Sequence, residues 1–332
     1  MQAELCDAVH DPRERARVVV GGCDDRRREV AMSVHEAHGK ISVTSRVVNQ
    51  SAPRRWRTFV FAGRGVLSVA MDRTVAPHPD LPRYYDVGQG KRPFVRKIFD
   101  DTAGDYDHVE RLLAFGSGSW YRRKALTRAG LTQGMRVLDV AVGTGLVARE
   151  EVQLTGDPKL VLGVDPSVGM TAQARKSLPI PIALGVAEEL PVAADAFDFL
   201  SMGYALRHLS DLTPAFREFH RVLKPGGRVC VLEITRPRTR LHKAMLKAYM
   251  RFVVPALTRL TTRHADTQLL WEYYWDTIEQ CVPTERIMSA LREAGFEDVK
   301  HHLELGMFSE YTARKPDASM MASAHEPADG AD

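Results

Sequence analysis

Apolar residues fall in short bursts along most of this chain, and their spacing changes from one stretch to the next. Residues 136–141 (RVLDVA) form an apolar run that ends at a glycine-rich turn, the pattern of a strand buried on both faces of a parallel sheet. Residues 160–165 (LVLGVD), 182–186, 197–202 and 227–233 repeat the theme and predict four more strands. Helical spacing intervenes. Residues 146–154 predict a helix after the first strand, and Ser167 is placed to cap another that runs to about Lys176. Thr213 and Pro214 read as N-cap and first position of a third helix, with Phe216, Phe219, Val222 and Leu223 on one face and a stop at Pro225-Gly226-Gly227. Residues 94–99, 120–129 and 285–294 also read as helical, the last ended by Gly295. Residues 299–305 and 307–314 predict an antiparallel pair that closes the sheet. Strands alternating with helices predict an α/β fold: a mostly parallel seven-stranded sheet with an antiparallel last strand and helices on both faces.

The first 80 residues depart from this pattern. Basic clusters at 13–17 and 26–28 sit among apolar residues with no sustained period. Residues 58–62 and 66–71 are short enough and apolar enough to pair as strands, but nothing demands it. The segment 1–80 therefore reads as a disordered or non-native extension, with a true start at Met71 as one form of that reading and a small folded domain as the alternative. The main domain is expected at 92–315. Residues 320–332, rich in Ala, Ser, Pro and Asp, read as a disordered tail.

Composition narrows the classes. With 332 residues, 44% of them hydrophobic, the chain can bury one sizeable core plus appendages. A formal net charge of +4 is too mild to argue for nucleic-acid binding. The four cysteines (Cys6, Cys23, Cys230, Cys281) form no CxxC pair and no zinc-type spacing, so no metal site is expected and the thiols read as reduced, in a cytoplasmic protein. No secretory h-region and no bilayer-length apolar run is present, so any membrane association is expected to be peripheral.

The chemistry begins at Asp139-Val-Ala-Val-Gly143-Thr-Gly145, where the first strand turns into a helix. Small residues let the backbone approach a ligand, which then lies at a helix N-terminus and at the carboxyl ends of parallel strands. Twenty residues past Gly145, Asp165 ends the second strand, where a carboxylate can accept both hydroxyl protons of a ribose. A nicotinamide-dependent oxidoreductase would present a similar turn. Its GxGxxG fingerprint is absent here, since positions 141 and 148 are both Ala. Leu223-Lys-Pro-Gly-Gly227 before a strand is a feature of many class I methyltransferases, and it points instead to S-adenosylmethionine (SAM).

Taken together, VLDVAVGTG (137–145), LGVDPSVGM (162–170), AEELPVAADAFD (187–198), YALRHLSD (204–211) and FHRVLKPGGRVCVLEIT (219–235) resemble the ubiquinone/menaquinone biosynthesis C-methyltransferase family. IFDDTAGDYD (98–107), LLAFGSGSWYRRKAL (112–126) and AGFEDVKHHLELG (294–306) extend the resemblance to about 220 residues in the right order. It implies a Rossmann-like class I methyltransferase that transfers a methyl group from SAM to a ring carbon of a polyprenyl quinol precursor. It implies that Asp139, Ala141, Gly143, Thr144 and Gly145 line the methionine side of SAM, and that Asp165 holds the ribose. Met170 or Pro166 would pack on the adenine, Ala187 and Glu188 would flank its edge, and Tyr106 would close over the cofactor. Three departures concern this chain: Val186 replaces an Asp that meets the adenine amine, a polar contact of about 1 kcal/mol; His208 replaces a substrate-facing Asn; and the ending GMFSEYTARKP differs from the family's.

A base that removes a phenolic proton raises the nucleophilicity of a ring. His208 titrates in the right range and follows the fourth strand. Arg207 and His208 are the expected acid/base pair, against the reading that Arg207 makes a structural ion pair and His208 caps a turn; Tyr204 either lines the pocket or is core. Residues 236–263 carry eight Lys or Arg and no acid, interleaved with apolar residues, and Pro255 breaks or kinks the helix. This stretch opens an expected helical cover at about 236–280. Its basic amphipathic character fits an anionic membrane surface, a solvated substrate-domain helix or, least well, nucleic acid. Trp271-Glu-Tyr-Tyr-Trp275 supplies flat apolar surface for a ring or prenyl chain, or plain core. The expected partner is thus a small lipophilic aromatic acceptor, with no nucleic acid and a homodimer as the candidate assembly. Three rivals stand: an O- or N-methyltransferase of another small molecule, a nicotinamide-dependent oxidoreductase, and a non-catalytic SAM-binding module.

Overall fold

The structure, a computed structural model, describes residues 17–20, 28–37, 40–47, 57–61, 74–85, 90–113, 118–237, 239–254, 256 and 266–317. The chain divides into two units, Met1–Met71 and Asp72–Asp332. In the first, β1 (Arg17–Val20), β2 (Arg28–Ala37), β3 (Lys40–Val47) and β4 (Arg57–Phe61) pair antiparallel in chain order. These strands fall in the segment read from sequence as a disordered or non-native extension, with a small folded domain as the alternative. The signal is a period of two: Val30, Met32 and Val34 alternate along β2, and the register sets Val30 against Val47 and Val34 against Val43, so these apolar positions share a face. Residues 66–71 and the expected tail at 320–332 lie outside the described residues. The boundary expected near residue 80 also moves. Residues 74–85 belong to the second unit, where Val75, Leu81 and Tyr85 are buried.

The second unit builds one sheet of seven strands: β5 (Val137–Val140), β6 (Val161–Asp165), β7 (Ile182–Leu184), β8 (Phe197–Gly203), β9 (Leu223–Ile234), β10 (Glu297–Glu304) and β11 (Phe308–Arg314). Their order is β10-β11-β9-β8-β5-β6-β7, and β11 alone runs against its neighbours. The predicted α/β fold, mostly parallel with an antiparallel final pair, is the one observed. Chain order reverses between β5 and β8, so a crevice opens there at the carboxyl ends of the strands.

Helices cover both faces. They are α1 (Lys91–Leu113), α2 (Gly118–Ala129), α3 (Leu146–Thr155), α4 (Val168–Ser177), α5 (Leu212–Val222), α6 (Arg240–Ala248), α7 (Asp266–Gln280) and α8 (Thr284–Glu293). The apolar stripe of α5 (Ala215, Phe216, Phe219, Val222) is fully buried against Leu200, Met202 and Val231 in one core layer. Phe199, Val137, Cys230 and Leu232 point to the other layer, against α2 and α3. The N-cap of α5 is Asp211 rather than Thr213: its Oδ1 accepts from the Thr213 N–H at 3.0 Å. The same oxygen accepts from Val75 N at 2.9 Å, so the cap also anchors residues 74–85. Ser167 caps α4 as expected, accepting from Met170 N at 3.0 Å.

Two glycines are required by close approach. Gly145 has φ +90°, and a Cβ there would lie 2.4 Å from Leu178 Cδ1. A Cβ on Gly169 would lie 2.8 Å from the Asp100 carbonyl oxygen, so this glycine lets α1 press on α4. Over the crevice, α6 runs into a π-helical turn (Tyr249–Val253), and with α7 and α1 it buries Ile98, Met250, Val254, Trp271, Tyr274 and Trp275 together. The expected cover at 236–280 is thus joined by α1 from the N-terminal side. Pro255 lies outside the described residues.

Candidate active site

A cavity of about 970 Å³ occupies the crevice. That is the upper end of the range for small-molecule sites, with room for two ligands side by side.

At one end the wall is the turn after β5 and the tips of β6 and β7: Val140 to Thr144, Asp165 to Ser167, Met170, and Gly185 to Glu188. Ala141 and Gly143 have φ of +59° and +56°. For an alanine that conformation is costly, and such strain concentrates at ligand sites. A Cβ on Gly143 would meet nothing nearer than 4.0 Å, so the turn presents open backbone. Asp165 sits opposite. Its Oδ2 accepts from Gly143 N at 2.9 Å and its Oδ1 from Ser167 N at 2.8 Å, and burial pushes its carboxyl up to about 6. Asp100 of α1, inside the 98–107 segment but not among the candidate site residues, accepts from the Ser167 hydroxyl (2.6 Å) and Gly169 N (2.8 Å) on the same wall. Glu188 accepts from Ser210 N at 3.0 Å and pairs with Arg92 at 3.1 Å.

Asp139 and Gly145 do not reach this wall. Asp139 lies beneath it, fully buried, with Oδ1 accepting from the Ser201 hydroxyl at 3.1 Å and Oδ2 without a partner. Glu151 of α3 is equally buried, and neither of its oxygens has a partner. Burial raises both carboxyls, and Glu151 raises Asp139 further, so the two do not ionise together. The remaining cofactor candidates fit an adenosyl ligand: an open glycine turn at the N-terminus of α3, a carboxylate placed for ribose hydroxyls, and buried Met170 and Ala187 for a flat base.

The middle of the cavity holds the candidate acid/base residues. His208 leaves β8 on a single 3₁₀ turn (Leu206–His208). Its ring stacks on Tyr273 at 5.4 Å and meets the edge of Phe99 at 5.2 Å, with Tyr274 at 5.4 Å. Nδ1 lies 3.4 Å from the Tyr273 hydroxyl, and Nε2 is buried with no protein partner. Burial, then the Arg207 and Lys91 charges, hold its pKa well below 6.5, so the imidazole is neutral at pH 7. Tyr204 follows β8 directly and lies on the wall with φ +59°. The Tyr106 hydroxyl bonds that of Tyr274 at 2.8 Å, also on the wall.

Arg207 is placed differently from the expected acid/base partner. It is fully buried behind the wall, paired with Glu233, with its guanidinium 4.5 Å over the Tyr274 ring. On this 3₁₀ turn consecutive side chains point about 120° apart, so His208 reaches the cavity while Arg207 turns into the core. Breaking such a pair leaves an uncompensated buried charge, which costs about 3–5 kcal/mol. The Glu233→Gln variant is therefore expected to lose stability of that order in urea denaturation; a change below about 1 kcal/mol would contradict the buried-pair geometry.

The support for His208 comes from distant sequence. The buried Lys91 amine donates to the carbonyls of Arg207 (2.7 Å) and Leu209 (2.8 Å), and burial lowers its pKa to about 7. Residues 74–85 brace the same turn and α7: Leu212 N donates to Val75 O (2.9 Å), Val282 N to Pro77 O (2.8 Å), and Tyr84 Oη to Asp276 (2.6 Å).

Comparison with known proteins agrees with this geometry. Residues 86–315 match the model of the ubiE/COQ5 methyltransferase family. The ubiquinone/menaquinone biosynthesis C-methyltransferase UbiE of Geobacter sulfurreducens is 33% identical over 229 residues, 67% of this chain and 88% of that protein. The demethylmenaquinone methyltransferase of Chlorobaculum parvum is 33% identical over 211 residues, 62% of this chain and 86% of its own. Among solved structures, a SAM-dependent methyltransferase from Thermotoga maritima aligns over 66% of this chain and 99% of its own, at 23% identity and a TM-score of 0.46. With a glycine turn and carboxylate fit for SAM and a family match that spans most of its length, this chain belongs to the ubiE/COQ5 methyltransferase family and is a SAM-dependent methyltransferase.

Proposed function

We propose that the enzyme methylates a ring carbon of a lipophilic quinol or phenol, with His208 as the base. The observation that carries this is the neutral imidazole on the cavity wall whose Nε2 has no protein partner. SAM supplies the electrophilic methyl group. Phe99 and Tyr274 flank the imidazole on the cavity wall and offer apolar surface to a ring, and His208 Nε2 accepts the phenolic proton. With Nε2 free to accept, the neutral imidazole carries its hydrogen on Nδ1, which faces the Tyr273 oxygen, and the developing phenolate raises the proton affinity of the ring. The ring carbon bonds the methyl as the S–CH3 bond breaks and S-adenosylhomocysteine leaves; the ring C–H proton is then lost to water while the imidazolium returns its proton to the ring oxygen, which restores aromaticity. Most of the rate comes from holding ring and methyl in line. The names of the two relatives, both quinone-pathway methyltransferases, support a quinol acceptor. A panel of purified acceptors tests this: lipophilic hydroquinones and phenols with an open ring position should gain a methyl on carbon, while amines should not. Turnover of amines alone, or methyl transfer to phenolic oxygen alone, would overturn it.

The reading includes docking at an anionic membrane, where a lipophilic acceptor resides. No helix among the described residues is long and apolar enough to cross a membrane. Instead, Leu241, Met245 and Phe252 are 69%, 60% and 71% exposed beside Arg240 and Arg251, while Leu246, Tyr249 and Met250 of the same segment line the cavity. Exposed apolar side chains set among cations suit an anionic bilayer surface. The protein should sediment with phosphatidylglycerol vesicles and not with phosphatidylcholine vesicles. The double variant Leu241→Glu/Phe252→Glu should lose at least about tenfold in affinity; equal sedimentation of variant and wild type would refute docking through this face.

A further inference from the structure

We propose that the Glu110–Arg122 ion pair in the cavity wall is a specificity-determining contact for the acceptor: it binds a second ring hydroxyl, on the side away from the one that His208 deprotonates. This rests on the reading of the acceptor as a quinol or phenol with His208 as its base.

Arg122 of α2 is only 4% exposed, and Glu110 of α1 meets its Nη1 at 2.8 Å. Both residues line the cavity. Apolar side chains of similar volume would serve stability as well or better, so folding alone does not account for a buried pair. Room has been left for it. A Cβ on Gly118 would lie 2.7 Å from a Glu110 carboxylate oxygen and 3.1 Å from both terminal guanidinium nitrogens. A guanidinium carries five N–H donors. Glu110 accepts from Nη1, while the buried Nε–H has no protein partner. An unmet buried donor is costly until a ligand meets it.

The pair stands on the acceptor side of the cavity. Phe99, Tyr106 and Glu110 are seven and four residues apart, so they share one face of α1, and all three line the cavity. Contacts run along that face from the base. Phe99 meets His208 at 5.2 Å and Tyr106 at 6.3 Å, and Glu110 follows one turn later. On the other side, Tyr204 precedes the turn that carries His208. Burial raises the Tyr204 phenol above its ordinary value and the Arg122 charge opposes that rise, so phenol and guanidinium are neighbours.

Charge balance decides which group fits. The pair is neutral overall and sets a donor beside an acceptor. A hydroxyl matches both, since it accepts from Arg122 and donates to Glu110. A carboxylate is repelled by Glu110. The carbonyl of an oxidised ring accepts from Arg122 but sets its oxygen against a carboxylate oxygen. The contact therefore selects the reduced, dihydroxy ring by penalising the others as well as by rewarding the match.

The test uses the full chain saturated with S-adenosylhomocysteine and three compounds: a lipophilic hydroquinone, the phenol that lacks only its second hydroxyl, and the same phenol with a carboxylate in that place. Calorimetric affinity is the readout, because removing a ring hydroxyl also changes the reactivity of the ring. The wild type should bind the hydroquinone at least about tenfold more tightly than the phenol, and the carboxylate most weakly. Arg122→Met/Glu110→Leu removes both charges together, so neither is left buried alone, and it should bind hydroquinone and phenol alike. Glu110→Gln frees the Arg122 charge and should gain at least about tenfold in affinity for the carboxylate, a gain that damage to the fold cannot produce. Equal wild-type affinities for hydroquinone and phenol would overturn the proposal. So would a preference that survives the double variant, or a Glu110→Gln variant with no gain for the carboxylate. Turnover separates this from the acceptor reading. If the wild type methylates none of the rings, hydroxyl-dependent binding that the double variant abolishes keeps the ion-pair contact and removes the quinol methylation.

Discussion

Asp165→Ala is expected to weaken SAM binding at least about a hundredfold. Two hydrogen bonds to a charged acceptor contribute about 1.5–3 kcal/mol each, so losing both costs at least about 3 kcal/mol, or more than two decades in Kd. The same substitution releases Gly143 N and Ser167 N, which the carboxylate holds at 2.9 and 2.8 Å, so the glycine turn also loses its anchor. The effect depends on pH with a definite sign. Burial pushes the Asp165 carboxyl up to about 6 in the free protein, and the ionised form is the one that accepts two hydroxyl protons. SAM affinity should therefore be level above that pH and fall by up to about tenfold per unit below it. Calorimetric titration with SAM, S-adenosylhomocysteine and NADH checks both points. Unchanged affinity in Asp165→Ala, or tighter binding of NADH than of SAM, would contradict the assignment of this wall.

The second large effect is at His208. The His208→Gln variant keeps a polar side chain that cannot act as a base at neutral pH, and it should lower kcat by about a hundredfold to ten-thousandfold. SAM binding should be unchanged, because His208 lies over β8 and the cofactor wall over β5 to β7. The neutral form is required. Since burial and the neighbouring cations hold the imidazole well below 6.5, it stays neutral as pH falls to that point, and activity should decline only at lower pH. A variant with kcat within about twofold of wild type would show that positioning alone carries the reaction and that His208 is a structural member of the aromatic cluster.

The sheet and the cofactor wall are legible in the sequence because their signals are local. Asp139 to Gly145 are consecutive, Asp165 ends the next apolar run, and Ser167 caps the following helix within three residues of its partner. Local signals do not say which side of an element faces the ligand. Asp139 and Arg207 both sit inside recognisable motifs, and both turn inward, to Ser201 and Glu233. Thr213 was a reasonable cap by residue type, but Asp211 stands two residues earlier and also meets Val75, a contact 136 residues away. Lys91, Tyr273 and residues 74–85 support His208 from positions that no periodicity connects to it. In the first unit the alternation along β2 and β3 is present in the letters, and the basic clusters around it obscure it.

The most direct test of the proposed reaction is to find where the methyl group goes. The purified enzyme would be given SAM carrying a carbon-13 methyl group and a reduced hydroquinone with one open ring position, and the product examined by NMR. A labelled methyl bonded to a ring carbon, formed by the wild type and scarcely by His208→Gln, is the expected result. A labelled methyl on the phenolic oxygen, or equal product from the variant, would contradict carbon methylation with His208 as the base.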